Sequence, residues 1–297
     1  MISHETLAAA VENGIITADQ AHRLAQLERA REASGAEPAD DERLRFISGF
    51  GDIFVTMGLL LFLGAAGYFL FRAGSGLGLW LGMVPLTWAL AEFFSRIRRM
   101  ALPSIVLLLV FAVSVFSLAI VLLTGLGTPW RHLNPADGTV PLIVAGLATA
   151  GAAALHYLRF AVPITVAAGV SALVLTIMSL LAGTFPDFTK NNIDILALGL
   201  GIGIFILAMR FDLSDPERVT RRTDIAFWLH LLAAPMIVYP LVAGMIEGSS
   251  IATSGSAFAI LAIFMALGIV AVLVDRRALL VSGLAYAGYA FATLLRQ

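Results

Sequence analysis

Long runs of apolar residues recur along nearly the whole chain and constrain its fold more than any other feature. Several runs reach about 18 residues or more, the length at which an α-helix crosses a hydrocarbon layer roughly 30 Å thick. Because 59% of the 297 residues are hydrophobic and only 13% are charged, a soluble helical protein built from them would leave most helices without a polar face. The pattern therefore predicts an all-α, polytopic transmembrane helix bundle.

Nine apolar segments are predicted to span the membrane, and together they make residues 46–297 a transmembrane domain. Their expected ranges are 50–71, 76–95, 101–124, 140–158, 161–183, 193–209, 225–246, 256–274 and 278–295. A polar, charged stretch precedes the first segment, so we expect that segment to be an uncleaved first span and not a signal peptide.

Arginine placement orients these spans. Ten basic residues follow the even-numbered spans, and four lie on the opposite side. The ten are Arg96, Arg98, Arg99, Arg159, Arg210, Arg218, Arg221, Arg222, Arg276 and Arg277, and the four are Arg72, Arg131, Lys190 and Arg296. Because basic residues are enriched in cytoplasmic loops, we expect a bacterial inner-membrane protein with a cytoplasmic amino terminus and a periplasmic carboxyl terminus.

Residues 1–45 are predicted to form a cytoplasmic helical hairpin and linker, with nine acidic residues and five arginines. Asn13-Gly14 suits the end of a first helix. Thr17 and Gln20 have the spacing of a capping box that starts a second helix, which we expect to run to about Glu32. A hairpin this small buries too little surface to fold alone. We therefore expect residues 1–33 to contact the membrane domain, another copy of the chain or a protein partner.

Small residues recur at helical spacing within several spans. The sets are Gly74, Gly78 and Gly82, then Gly199 and Gly203, and the stretch 145–154 in the fourth span. Such surfaces let helix backbones approach closely, which favours tight packing within the chain. A dimer interface and a ligand-binding surface are the alternatives.

Five ionisable residues fall toward the predicted cytoplasmic ends of their spans and are candidates for a transport or polar cluster: Asp52, Glu92, His156, Asp224 and His230. Ionisable side chains at membrane depth are costly and mark functional sites. Glu92 and His156 would meet His230 if the second, fourth and seventh spans adjoin, and a carboxylate beside a histidine suits proton relay. The alternative is that those nearest the interface simply reach water.

Prolines within spans predict helix kinks. Pro235 and Pro240 lie in the seventh span, and Pro85 lies in the second. Each proline removes a backbone hydrogen bond and leaves a carbonyl one turn earlier without its donor. Kinked or broken helices at membrane depth often line cavities or substrate paths, although a kink without a binding site is the alternative.

Several functional classes are disfavoured by the sequence. The net charge of −1 lacks the basic footprint of a nucleic-acid-binding protein. The absence of cysteine excludes disulfides, thiolate metal sites and cysteine nucleophiles. Metalloprotease, phosphate-loop and serine-hydrolase motifs are also missing from the chain. We therefore predict no enzyme activity, catalytic residue, metal or cofactor, and expect membrane lipids as the principal surroundings.

The stretch Val11-Glu12-Asn13-Gly14-Ile15-Ile16-Thr17-Ala18-Asp19-Gln20-Ala21 resembles the amino-terminal segment of bacterial predicted membrane proteins of the domain of unknown function 2157 type. The same short pattern is similar to SHOCT-like helical hairpins. The segment from Asp224 to Pro240 also resembles a recurrent segment of uncharacterised proteobacterial membrane proteins. These resemblances imply a hairpin, a linker and many hydrophobic spans, and they supply no catalytic residues.

Two functions are compatible with these observations. The first is transport of a small solute or ion, with the proline-containing seventh span near its path. The second is a structural, sensory or assembly role in which the amino-terminal hairpin recruits a partner.

Overall fold

The computed structural model describes residues 10–34, 50–125, 139–215 and 220–247. The chain divides into two compact units, Met1–Phe46 and Ile47–Gln297. The described residues of both units contain helices joined by turns, and no β-strand occurs among them.

In the first unit, a helix ends after Glu12 and helix α1 (Ala18–Ser34) follows. Gly14 has a φ of +67°, and the amide of Ile15 donates to the carbonyl of Ala10, which is the Schellman arrangement of a helix end. The start of the preceding helix lies outside the described residues, so the complete hairpin stays a prediction.

The beginning of α1 is fixed by the capping box expected from the sequence. The amide of Thr17 donates to Gln20 Oε1 over 2.8 Å, and the amide of Gln20 donates to Thr17 Oγ1 over 3.3 Å. Two amides at the helix start are thereby satisfied by side chains.

The second unit consists of seven α-helices and one π-helical segment in its described part. They are α2 (Phe50–Ala91), the π-helix Glu92–Ile97, α3 (Ala101–Thr124), α4 (Thr139–Phe160), α5 (Ile164–Thr184), α6 (Pro186–Asn191), α7 (Ile193–Leu213) and α8 (Arg221–Glu247). The short α6 lies in the connection between the fifth and sixth predicted spans.

Helix α2 folds back on itself. Gly74 and Ser75 have non-helical backbone angles, and a methyl group placed on Gly82 would lie within 2.6 Å of the Leu70 side chain. A continuous helix would separate those two residues by about 18 Å along its axis. The two arms of α2 are therefore antiparallel and correspond to the first two predicted spans.

Six helices of the described chain are long and apolar enough to cross a membrane, and the first of them includes both arms of α2 and the π-helix. The predicted range 101–124 coincides with α3, and the third to seventh predicted spans each correspond to one helix. The segments 256–274 and 278–295 lie outside the described residues, so the count of nine stays a prediction.

Helices that follow one another along the chain pack against one another, with α8 lying against α7 and, less extensively, α5. One apolar core joins the arms of α2 to α3 through Leu63, Met83 and Leu107. A second core joins α5, α7 and α8 and includes Ile204 and Leu229. The second unit is called the membrane unit below, and the buried apolar side chains in its described part are gathered in several local cores between neighbouring helices.

Close packing occurs at some of the predicted small residues and not at others. Gly146 of α4 faces Thr176 of α5 so closely that an added methyl group would overlap the threonine hydroxyl. On α7 the close approach to α8 is at Gly201, next to Met236. The predicted pair Gly199 and Gly203 has no heavy atom within 4 Å of an added methyl group among the described residues. Those two glycines do not mediate the α7–α8 contact, because they lie on other faces of the helix.

Candidate site at the arginine-rich end of the helices

Most of the charged residues and both histidines in the described part of the membrane unit lie at one end of its helices, which we call the arginine-rich end. This end contains the start of α2, the π-helix, the end of α4, the end of α7 and the start of α8. Asp52 lies there in the first turn of α2 and is 5% exposed. Its backbone carbonyl accepts a hydrogen bond from the Thr56 hydroxyl at 2.6 Å.

Glu92 forms ion pairs with two arginines. Its Oε1 lies 2.6 Å from Arg159 Nε, and its Oε2 lies 3.4 Å from an Arg96 terminal nitrogen. Arg159 is on α4, so the shorter pair joins the end of the second predicted span to the end of the fourth. The side chains of Glu92 and Arg159 are 31% and 43% exposed, so the pair lies at the edge of the helices and is only partly covered by them.

Glu92 is also the first residue of the π-helix, which the sequence analysis did not predict. The amide of Met100 donates to the carbonyl of Phe94, six residues earlier, as the chain leaves this segment. A π-helical turn widens the helix and shifts the residues after it around the axis, and such turns are frequent at functional sites. Here it ends the second arm of α2 beside the Glu92–Arg159 pair.

His156 lies inside a cluster of aromatic rings. It is 0% exposed, and its ring centroid is 4.6 Å from Phe160, 5.5 Å from Phe111 and 5.9 Å from Trp88. Its Nδ1 is 3.4 Å from the Thr165 hydroxyl, and its Nε2 has no hydrogen-bond partner among the described residues. The surroundings are those of a packed side chain between α2, α3 and α4.

His230 is paired with a carboxylate. Its Nε2 lies 2.8 Å from Asp212 Oδ2, with the imidazole 0% exposed and the Asp212 side chain 16% exposed. The ring of Phe205 packs edge-on against the imidazole at 5.1 Å. His230 Nδ1 has no hydrogen-bond partner among the described residues. The pair therefore places a hydrogen-bonded acid–base couple between α7 and α8.

Sequence reasoning missed Asp212 because the sixth span was expected to end at residue 209, whereas α7 continues to Leu213. The antiparallel register of α7 and α8 is what brings Asp212 to His230. Gly201 of α7 lies opposite Met236 of α8. Asp212, eleven positions after Gly201, therefore lies near the first turns of α8. Arg159 was likewise expected to orient the chain and not to pair with Glu92.

Asp224 and Asp215 also lie at the arginine-rich end, but Asp224 is exposed and Asp215 is buried. Asp224 is exposed in the first turn of α8, where its charge suits the positive end of the helix dipole. Asp215 is 6% exposed, and its Oδ2 accepts hydrogen bonds from the Thr220 amide and hydroxyl and the Thr223 hydroxyl at 2.6–3.0 Å. Asp215 therefore stabilises the connection that holds α7 beside α8.

The prolines do not divide their helices. Helix α8 continues through Pro235 and Pro240, and the second arm of α2 continues through Pro85. The interruption in α2 falls at Gly74 and Ser75 instead. Since Pro235 has no N–H, the carbonyl of Leu231, the residue after His230, lacks its usual intrahelical donor.

The expected meeting of Glu92, His156 and His230 does not occur through direct contacts. Glu92 pairs with arginines, His156 lies among aromatic rings, and His230 pairs with Asp212. The reason is the order of packing, because the contacts of α8 in the described part of the chain are mainly with α7 and α5. The polar residues form separate sites along one end.

The described helices define an all-α protein with several segments suited to a membrane. No group of three or more histidine or acidic side chains that could hold a metal ion occurs among the residues that the structure describes. Comparison of the chain with known protein families, curated proteins and solved structures finds no match.

Proposed function

We propose that this chain is a multi-pass protein of the bacterial inner membrane that transports a small solute or ion, with its path beside α7 and α8. The buried Asp212–His230 pair is the observation that carries the proposal. An ionisable pair inside apolar helices costs free energy that apolar side chains of the same volume would not. Such pairs in membrane helices mark ion, proton or substrate paths.

The backbone next to this pair supports the same location. Pro235 deprives the Leu231 carbonyl of its usual donor, which leaves a polar acceptor one residue after His230. Polar backbone groups beside ionisable side chains are the usual lining of a path within membrane helices. The sequence carries no metalloprotease, phosphate-loop or serine-hydrolase motif, so no catalytic role is proposed.

Reconstitution tests the proposal. Proteoliposomes containing the full chain are challenged with a panel of small osmolytes in a stopped-flow swelling assay and with alkali cations and halides in dye-based flux assays. We expect at least one probe to cross faster than in empty liposomes, and Asp212→Asn and His230→Gln to slow it. Asp194→Asn and His22→Gln are matched controls, because both original residues are exposed and distant in sequence from the pair. Folded protein with no flux above empty liposomes for any probe would contradict the proposal.

The orientation belongs to the same proposal. The Glu92–Arg159 and Asp212–His230 contacts each join two segments that the arginine rule assigns to one face, the cytoplasmic one, which supports their placement on the same side of the membrane. Reporter fusions at Gln20 and Arg221 are expected to report the same side of the membrane. Opposite sides would refute the span scheme.

The alternative function is recruitment of a protein partner by the amino-terminal unit, and one observation favours it. In that unit Ile15 is 75% exposed and Leu24 is 42% exposed, so apolar side chains are available for a partner. Deletion of residues 1–40 separates the two functions. Loss of a co-purifying partner with flux unchanged supports recruitment, and loss of flux alone supports transport.

A further inference from the structure

Four arginines lie together where the π-helix ends beside α4. They are Arg96, Arg98 and Arg99, in and directly after the π-helix, and Arg159, the penultimate residue of α4. Glu92 joins the two helices, because its carboxylate lies 3.4 Å from Arg96 and 2.6 Å from Arg159. All four arginines are exposed. We call these four residues the arginine cluster.

The arginine cluster has more positive charge than the carboxylates around it balance. Helix α2, the π-helix, α3 and α4 bring two carboxylates to the arginine-rich end, Glu92 and Asp52, and Asp52 is 5% exposed. Residues 210–224, at the end of α7 and the start of α8, contain four arginines and four acidic residues. The arginine cluster therefore has an excess of positive charge that the sequence of this other part of the arginine-rich end lacks.

The guanidinium groups of the arginine cluster keep donors for a further anion. Arg159 donates to Glu92 through Nε, and Arg96 donates to it through one terminal nitrogen. A guanidinium has five N–H donors, so each arginine has others left after its bond to Glu92. Arg98 has its guanidinium carbon 5.7 Å from the centre of the Phe93 ring. Several guanidinium donors close together suit phosphate oxygens, which accept two or more such bonds at once.

The backbone that presents the arginine cluster is unusual at two points. Arg99 has a φ of +53°, in the left-handed region that residues other than glycine rarely adopt. It follows the π-helix Glu92–Ile97, and π-helical turns are rare and frequent at functional sites. Strained backbone conformations cluster at ligand-binding sites, where the surrounding structure holds them. Both features therefore favour a binding role for this turn.

Exposed apolar side chains adjoin the arginine cluster. Phe93 and Ile97 of the π-helix are 45% and 70% exposed, and Leu155 and Leu158 of α4 are 62% and 80% exposed. Leu155 lies one turn before Arg159 on the same face of α4. A molecule that has both a phosphate and apolar chains would contact the arginines and these side chains together, whereas a small soluble anion would contact the arginines only.

We propose that the arginine cluster binds the headgroup of an anionic phospholipid in the membrane leaflet at the arginine-rich end. The lipid phosphate accepts hydrogen bonds from the guanidinium groups, and the acyl chains lie along the exposed apolar residues of the π-helix and α4. Basic pockets between membrane helices are known sites for such headgroups. The inference requires that the chain lies in a membrane, and it does not depend on the transport of any solute.

Lipid binding by the purified full chain tests the proposal. The chain is stripped of lipid in detergent and titrated with phosphatidylglycerol or phosphatidylcholine that carries a fluorophore on one acyl chain. Binding is followed by energy transfer from the tryptophans of the protein. We expect tighter binding of phosphatidylglycerol, weakened by salt. Arg98→Gln/Arg99→Gln should lower the affinity for phosphatidylglycerol by about tenfold or more, because each arginine near an anionic lipid contributes about fivefold.

The matched control is Arg221→Gln/Arg222→Gln, which also removes two adjacent exposed arginines from the arginine-rich end. Its effect should be much smaller, because these arginines stand among acidic residues. Equal losses in the two double variants, or equal affinity of the wild type for the two lipids, would overturn the site. Displacement of phosphatidylglycerol by an equal concentration of inorganic phosphate would reveal a site for free anions and overturn the lipid assignment.

A lysine variant keeps the test decisive if the glutamine variant does not give a monodisperse protein. Arg98→Lys/Arg99→Lys retains both charges and should bind phosphatidylglycerol more tightly than the glutamine variant does. A loss as large as that of the glutamine variant would overturn the ionic basis of binding. Affinity for phosphatidylglycerol that is independent of salt, in the wild type and in the lysine variant, would overturn it as well.

Discussion

Replacing Gly146 by alanine tests the packing of α4 on α5. A methyl group at this position would overlap the Thr176 hydroxyl and lie 3.0 Å from the Ala172 carbonyl oxygen. The hydroxyl is itself bonded to that carbonyl at 2.9 Å, so it cannot rotate away without losing a hydrogen bond. The backbone carbonyl cannot move unless the helices separate.

The expected magnitude follows from two opposing effects. Overpacking a close contact costs about 1–3 kcal/mol, whereas alanine is favoured over glycine within a helix by about 0.5–1 kcal/mol. Gly151 lies on the same helix with no atom within 4 Å of an added methyl group, so Gly151→Ala has only the second effect. The free energies of unfolding of the two variants should therefore differ by about 1–3 kcal/mol.

Unfolding of the purified chain in mixed micelles, followed by far-UV circular dichroism, measures this difference. Thr176→Ala removes the nearest obstacle, so combining it with Gly146→Ala should recover part of the lost stability and give a coupling energy of about 0.5–3 kcal/mol. A Gly146→Ala variant as stable as Gly151→Ala would refute the proposed contact between α4 and α5.

Three further predictions follow from other contacts. His156→Ala should lower the free energy of unfolding by about 2–4 kcal/mol because it leaves a cavity. His156→Phe fills the same space and should lower it by less than about 1.5 kcal/mol. Equal losses of stability in chemical unfolding would argue against a packing role for His156. Arg159→Gln should lower the melting temperature more than Arg96→Gln, because Glu92 lies 2.6 Å from Arg159 and 3.4 Å from Arg96. High salt should reduce the difference in melting temperature between the two variants. A difference that does not depend on salt would contradict an ionic origin. Thr17→Ala should remove about 1 kcal/mol from the start of α1 and raise amide exchange there about fivefold; unchanged exchange would exclude the capping box as its source of stability.

Several features were readable from the sequence because they depend on residues close together in the chain. The range 101–124 matched α3, since helix bounds in apolar segments are set by where hydrophobicity begins and ends. The bonds between Thr17 and Gln20 join residues three apart, and Gly14 ends its helix through its own backbone angle. Interactions between residues this close in the chain can be predicted without knowing how the helices pack.

Composition also determined that most helices must be covered by an apolar environment, because 59% of the residues are hydrophobic. The partners of the ionisable residues needed the tertiary structure. Glu92 and Arg159 are 67 positions apart, and His230 and Asp212 are 18 apart. Which side chains meet over such separations depends on the order and register of helix packing, and many registers bury the same apolar surface. Only the folded arrangement decided that Asp212, and not Glu92, lies beside His230.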